Sequence, residues 1–231
     1  VNYKDAINKV LEHEGGFVNN PLDKGGATNW GVTQETYNNY MTYITGKPYV
    51  STVAEIQAMP LDTAIKIYKL FYWDVIWGDK IKKYSVAAAI FDQAINRGPD
   101  AALKQAQRVL GITQDGLMGN NTLTALNNAT ATTDSEAKFL SSYLQESILA
   151  YNTIVKNNPS QSVFLNGWLK RVESLRSYVN SYIGSINATT VGIGLGVVIL
   201  LAGSFLLYSK RDVIAGYFNK TSAPAQVTKA A

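Results

Sequence analysis

The chain has 231 residues, 46% of them hydrophobic and 16% charged, a balance that excludes intrinsic disorder and leaves room for one or two packed domains. Cysteine is absent and histidine occurs once, as His13, so a disulfide scaffold is excluded and a zinc hydrolase or Ser-His-Asp enzyme would have to be built on one ring. The formal net charge is +4, which suits an anionic polymer as partner. The basic residues are nevertheless scattered apart from Lys80-Ile-Lys-Lys83, read as a solvated loop, so no nucleic-acid partner is expected.

The first predicted helix runs from Asp5 to Glu14, with apolar residues at Ala6, Ile7, Val10 and Leu11, and stops at Gly15-Gly16. Glu14 therefore sits at a helix C-terminus, where the helix dipole disfavours negative charge and a carboxyl tends to keep its proton. Next comes a loop dense in turn formers, Asn19, Asn20, Pro21, Gly25 and Gly26, which carries Asp23 and leads to Thr28 and then Trp30-Gly-Val-Thr33. Glycine and asparagine allow positive φ, so the chain can fold back and bring Asp23 and Thr28 near Glu14. Two carboxyls flanking a cleft are what glycoside hydrolysis requires, one to protonate the leaving oxygen and one to activate water or stabilise positive charge on the sugar.

Helices are then expected over Gln34–Ile44, Val53–Met59 and Asp62–Trp73, the last with Leu61-Asp62-Thr63 as its capped start. Phe71-Tyr-Trp-Asp-Val-Ile-Trp77 is rich in rings. Trp73 is expected in the core, whereas Tyr72 and Trp77 fit either the core or a sugar-stacking wall, and Trp30 is the better candidate for such a wall. Val86–Arg97 is an apolar helix with Asp92 and Asn96 four apart on one face, and buried polar groups there need partners. Ala101–Leu110 follows Gly98-Pro99-Asp100. From Leu103 through Gln107, Asp115-Gly116 and Gly119 to Thr122 and Leu126 the pattern resembles the helical peptidoglycan-binding repeat, with Thr122 expected to cap the next helix. That module either adds affinity for wall polymer or completes the core. Asn127–Asp134 reads as a linker, and Ser135–Lys156 and Phe164–Ile183 as long amphipathic helices.

The composition changes at Thr189–Tyr208, twenty uncharged residues rich in Val, Ile, Leu and Gly, the length a helix needs to cross a bilayer. Gly192 and Gly196 favour self-association of that span. Lys210 and Arg211 follow it, so the positive-inside rule puts the C-terminus in the cytoplasm and the catalytic part outside. No secretory-signal pattern follows Val1. The alternatives are a signal removed ahead of Val1 and a phage particle, and the phage is preferred.

Glu14-Gly-Gly-Phe, Asn20-Pro-Leu-Asp23-Lys-Gly-Gly-Ala-Thr28-Asn and Gly31-Val-Thr33 together resemble the signature of glycoside hydrolase family 108. This is a lysozyme-like family of N-acetylmuramidases that includes phage endolysins and bacterial secretion activator proteins. The resemblance continues through Phe71–Asp74, Ala89–Gly98, Gln107–Leu123 and Phe164–Arg171, about residues 1 to 180. It implies Glu14 as the catalytic acid, and the order Glu, Asp, Thr also resembles the trio of phage-type lysozymes, giving Asp23 and Thr28 supporting roles. It further implies that Asp92 and Asn96 line or brace the cleft, with a structural hydrogen-bond network as the alternative.

The expected protein is all-α and lysozyme-like, with a single C-terminal transmembrane helix. Its parts are a catalytic domain at 1–98, a peptidoglycan-binding-like helical region at 99–186, the span at 189–208 and a short basic, disordered tail at 209–231. The expected activity is cleavage of the β-1,4 bond between N-acetylmuramic acid and N-acetylglucosamine by Glu14, Asp23 and Thr28. Trp30, Asn20, Tyr72, Asp92 and Asn96 are expected to bind substrate, and no metal or organic cofactor is required. The partners are peptidoglycan and, through 189–208, a lipid membrane: a phage virion membrane or a host inner membrane with the enzyme facing the periplasm. The alternatives are a lytic transglycosylase and a non-catalytic wall-binding membrane anchor.

Overall fold

The computed structural model describes residues 3–13, 16–19 and 26–183, and within these the chain is mainly helical. The described residues form two compact units, one of residues 4–67 and one of residues 68–183 with Tyr3. Among them no helix is long and apolar enough to cross a membrane. The apolar run at 189–208 and the tail at 209–231 lie outside the described residues.

In the first unit, α1 (Tyr3–His13) buries the expected stripe, with Ala6, Ile7, Val10 and Leu11 all nearly solvent-free. A short antiparallel hairpin, absent from the all-helical expectation, follows: β1 (Thr28–Asn29) pairs with β2 (Val32–Thr33), Thr28 opposite Thr33 and Asn29 opposite Val32. Thr33 caps α2 (Gln34–Thr45) by accepting from the Thr36 amide, and Gly46 ends it in the left-handed conformation at φ 68°. Thr52 and Glu55 form a reciprocal capping box at the start of α3 (Val53–Gln57).

The helix expected from Asp62 to Trp73 begins as α4 (Leu61–Tyr68), directly after Pro60, and widens into a π-helical turn over Lys69–Trp73. The Asp74 amide reaches back five residues to the Lys69 carbonyl at 2.8 Å. Trp73 is fully buried, as expected, between the rings of Tyr3 (centroids 5.5 Å apart) and Phe91 (5.2 Å), while its indole N–H donates to Asp79 at 2.8 Å. Gly78 lies against this indole. A Cβ there would stand 2.3 Å from Trp73 Cε2, and an enclosed ring cannot yield. Gly78→Ala is therefore expected to destabilise the chain by about 3 kcal/mol, the upper part of the usual overpacking range, read as a lower denaturant midpoint at unchanged slope.

The second unit is organised on α5 (Tyr84–Arg97), whose residues Ser85 to Ala94 are buried without interruption. Helices α6 (Pro99–Leu110), α8 (Thr133–Asn157) and α9 (Ser162–Ile183) pack around it. Continuous burial explains why its sequence is apolar on nearly every face. Between α6 and α8 lies α7 (Asn120–Ala129). Two expectations are corrected here. Thr122 is inside α7, which starts after Gly119, rather than capping it, and its hydroxyl donates to the Leu117 carbonyl at 3.2 Å. The linker expected at Asn127–Asp134 shrinks to residues 130–132, since its ends belong to α7 and α8 and Asn127 ties α7 to the Lys80–Lys82 turn through its side-chain amide.

Candidate active site and its supports

Glu14, Asn20 and Asp23 lie outside the described residues. What is described is the chain on either side of them. Val18 and Thr28 exchange both backbone hydrogen bonds at 2.8 Å, so the segment carrying Asn20 and Asp23 is closed at its base by a β-bridge. Thr28 is thereby fixed by its own backbone between Val18 and Thr33.

The hairpin turn is Trp30-Gly31, with φ of 52° and 74°. Two successive left-handed residues match the right-handed twist of paired strands, and glycine makes the second inexpensive. The half-buried Trp30 is held in the strained position by its indole N–H, which donates to the Met59 carbonyl at 3.1 Å. Beside it Asn29, 5% exposed, donates to the carbonyls of Ile56 and Gln57, both at 3.0 Å. Asn29 was not singled out by sequence reasoning, although a polar side chain next to a hairpin turn is the signal for a backbone clasp. Gln34 extends the same support to the Ser51 carbonyl, and the Ser51 amide donates to Asn38 at 2.8 Å. The structure thus places Thr28 and Trp30 on one hairpin, each with its backbone determined by non-local bonds.

The other described candidates belong to the second unit. Tyr72 is half-buried in the π-helical turn, its ring 5.7 Å from that of Tyr68. Trp77 takes a left-handed conformation at φ 50°, and the Lys80 ammonium sits 3.8 Å over its ring. Asp92 is 4% exposed, and Arg171 of α9, 79 residues away in sequence, donates its Nε–H between the two carboxyl oxygens, at 3.2 and 3.1 Å. Asp92 is thus a brace between α5 and α9. One turn on, Asn96 is half-buried, and its side-chain nitrogen has no hydrogen-bond partner among the described residues. The polar row continues on the helix: Arg97 donates to Gln93 at 3.2 Å and also to Gln105, which donates to the Tyr143 carbonyl at 2.6 Å. Burial pushes the Tyr143 phenol well above its ordinary value, so it stays neutral.

In the region resembling a peptidoglycan-binding repeat, Gln107 is the pivot. It is fully buried; its amide nitrogen lies 2.6 Å from the Asp115 carboxyl and its oxygen accepts from the Gly116 amide at 2.9 Å. Gly116 takes φ 76°, and any Cβ there would overlap the Asp100 carboxyl. The Leu117 backbone N–H and then the Gln107 amide hold the Asp115 carboxyl below the usual carboxylate range. A carboxyl depressed on folding stabilises above its unfolded value, near pH 4, and loses that contribution as pH falls through the folded value. The turn is therefore expected to hold through neutral pH and loosen only below about pH 4, seen as faster amide exchange at Leu117.

Residues 7–98 match the family model described as Glycosyl hydrolase 108, and residues 101–173 match the model described as Predicted Peptidoglycan domain. Among solved structures, that of Brucella abortus SagA is similar, with 31% identity and a TM-score of 0.62 over 79% of this chain and 96% of that one. No curated protein matches. The chain accordingly belongs to the glycosyl hydrolase 108 family, and is a mainly helical glycoside hydrolase acting on peptidoglycan.

Proposed function

We propose that the chain is an N-acetylmuramidase that cleaves the β-1,4 bond between N-acetylmuramic acid and N-acetylglucosamine. Glu14 protonates the leaving glycosidic oxygen, and Asp23 with Thr28 orients water or balances the charge that develops on the sugar ring. The observation carrying this reading is the Glu14-to-Thr33 signature within the matched residues 7–98, together with the Val18–Thr28 bridge that closes its loop. Trp30 and Asn20 line the sugar path on this reading, and Tyr72 offers a ring face for stacking. Asp92 and Asn96 stand one turn apart on α5 and brace the cleft on this reading, Asp92 through its ion pair with Arg171.

Membrane attachment is part of the same proposal. Thr189–Tyr208 has the length and composition of a bilayer span, and Lys210-Arg211 after it favours a catalytic part on the non-cytoplasmic side. A wall-degrading enzyme so anchored suits a phage virion membrane or an inner membrane facing the periplasm.

Clearing of a peptidoglycan suspension by the purified chain in mild detergent tests the enzymatic reading. The expected result is a steady fall in turbidity. Co-sedimentation with the wall without clearing would instead identify a non-catalytic wall-binding anchor.

A further inference from the structure

Three tyrosines of the second unit meet where α9 ends. Tyr84, in the first turn of α5, hydrogen-bonds through its hydroxyl with that of Tyr178, and its ring centroid lies 4.6 Å from that of Tyr182. Tyr178 and Tyr182, one helical turn apart on α9, contact each other edge to face at 5.3 Å. The cluster is not closed over: Tyr182 is 50% exposed. Immediately before Tyr84 comes the basic run, in which Lys80 and Lys82 are exposed while Lys83 pairs with Glu136 at 3.0 Å. The clustered cations of the sequence thus lead directly into Tyr84, and of the three rings that of Tyr182 is the exposed one.

The chain beyond this end limits what can cover it. Only residues 184–188 separate α9 from the apolar run that begins at Thr189. A chain that short spans at most about 20 Å when fully extended. With 189–208 in a bilayer, the tyrosines are held within reach of its headgroup layer. Tyrosine suits that layer, because the ring is apolar and the hydroxyl stays wet, and lysine ammonium groups favour phosphate beside it.

We propose that Tyr84, Tyr178 and Tyr182, with Lys80 and Lys82, form a juxtamembrane platform that seats on anionic lipid headgroups. The platform stands α9 on the membrane, so that its Ser162 end projects away from the lipid. This rests on the reading of 189–208 as a bilayer span.

The absence of cysteine allows one spin label per chain, placed by Ser181→Cys, Val163→Cys or Val198→Cys in the full chain reconstituted into phosphatidylglycerol-containing vesicles. Position 181 is exposed beside the tyrosines, and 163 is exposed about 27 Å away along α9. At 181, collision with lipid-soluble oxygen relative to a water-soluble nickel chelate is expected to exceed that at 163 several-fold, and to fall back when Lys80→Glu and Lys82→Glu are added. Equal, water-like values at 181 and 163 with a hydrocarbon-like value at 198 would overturn the platform while leaving the anchor intact. A water-like value at 198 would overturn the anchor and the platform with it. A label at 181 shielded from both reagents would also overturn the platform, showing that a second copy of the chain covers the tyrosines.

Discussion

Asp92→Ala is expected to cost about 3–5 kcal/mol of folding stability, the range for removing one partner of a buried ion pair. Asp92 is almost fully buried and the Arg171 side chain is only 16% exposed, so truncating the carboxylate leaves a guanidinium in the helical core facing a cavity. The pair itself contributes less than its loss costs, since desolvating two charges offsets much of their attraction. Replacing both by apolar residues, Asp92→Leu with Arg171→Met, should recover most of the stability, and urea unfolding of the single and double variants measures this. A loss below about 1 kcal/mol for Asp92→Ala, the level of an exposed pair, with catalysis abolished would contradict the brace and return Asp92 to the substrate.

The second large effect concerns chemistry rather than folding. Glu14→Gln is expected to slow wall clearing by about a thousandfold, the middle of the range for removing a positioned general acid. Glutamine keeps the size of the side chain but cannot deliver a carboxyl proton to the leaving oxygen. The unfolding free energy should stay within about 0.5 kcal/mol of wild type, because glutamine replaces glutamate at nearly equal volume. Asp23→Asn then reports on the second carboxylate. A comparable loss gives it a catalytic role, and a small one leaves Glu14 as the single essential acid.

The long helices were legible from periodic apolar residues or, in α5, from an unbroken apolar run of helical length. α1 buries Ala6, Ile7, Val10 and Leu11 as their spacing indicates, and α2, α5, α6, α8 and α9 lie within a few residues of their expected bounds. What escaped depends on partners distant in sequence or on small changes of backbone register. A π-helical turn adds one residue to a helical loop and leaves the apolar pattern of Lys69–Trp73 almost unaltered. Asn127 and Thr130 look like linker composition, yet Asn127 lies in the last turns of α7 and Thr130, enclosed and bonded to the Leu126 carbonyl at 2.8 Å, ends that helix against the core. Asp92 asked for a partner, but nothing local pointed to Arg171. Of the site, Thr28 and Trp30 are held on one hairpin, while Glu14, Asn20 and Asp23 rest on the signature in which they stand.

Chemical identification of the new sugar ends in a peptidoglycan digest tests the central claim most directly. Borohydride reduction followed by mass analysis of fragments released by the full chain should show reduced N-acetylmuramic acid ends, absent with Glu14→Gln. Anhydro-muramic ends would make the enzyme a lytic transglycosylase, and reduced N-acetylglucosamine ends would place the cut on the other bond of the glycan.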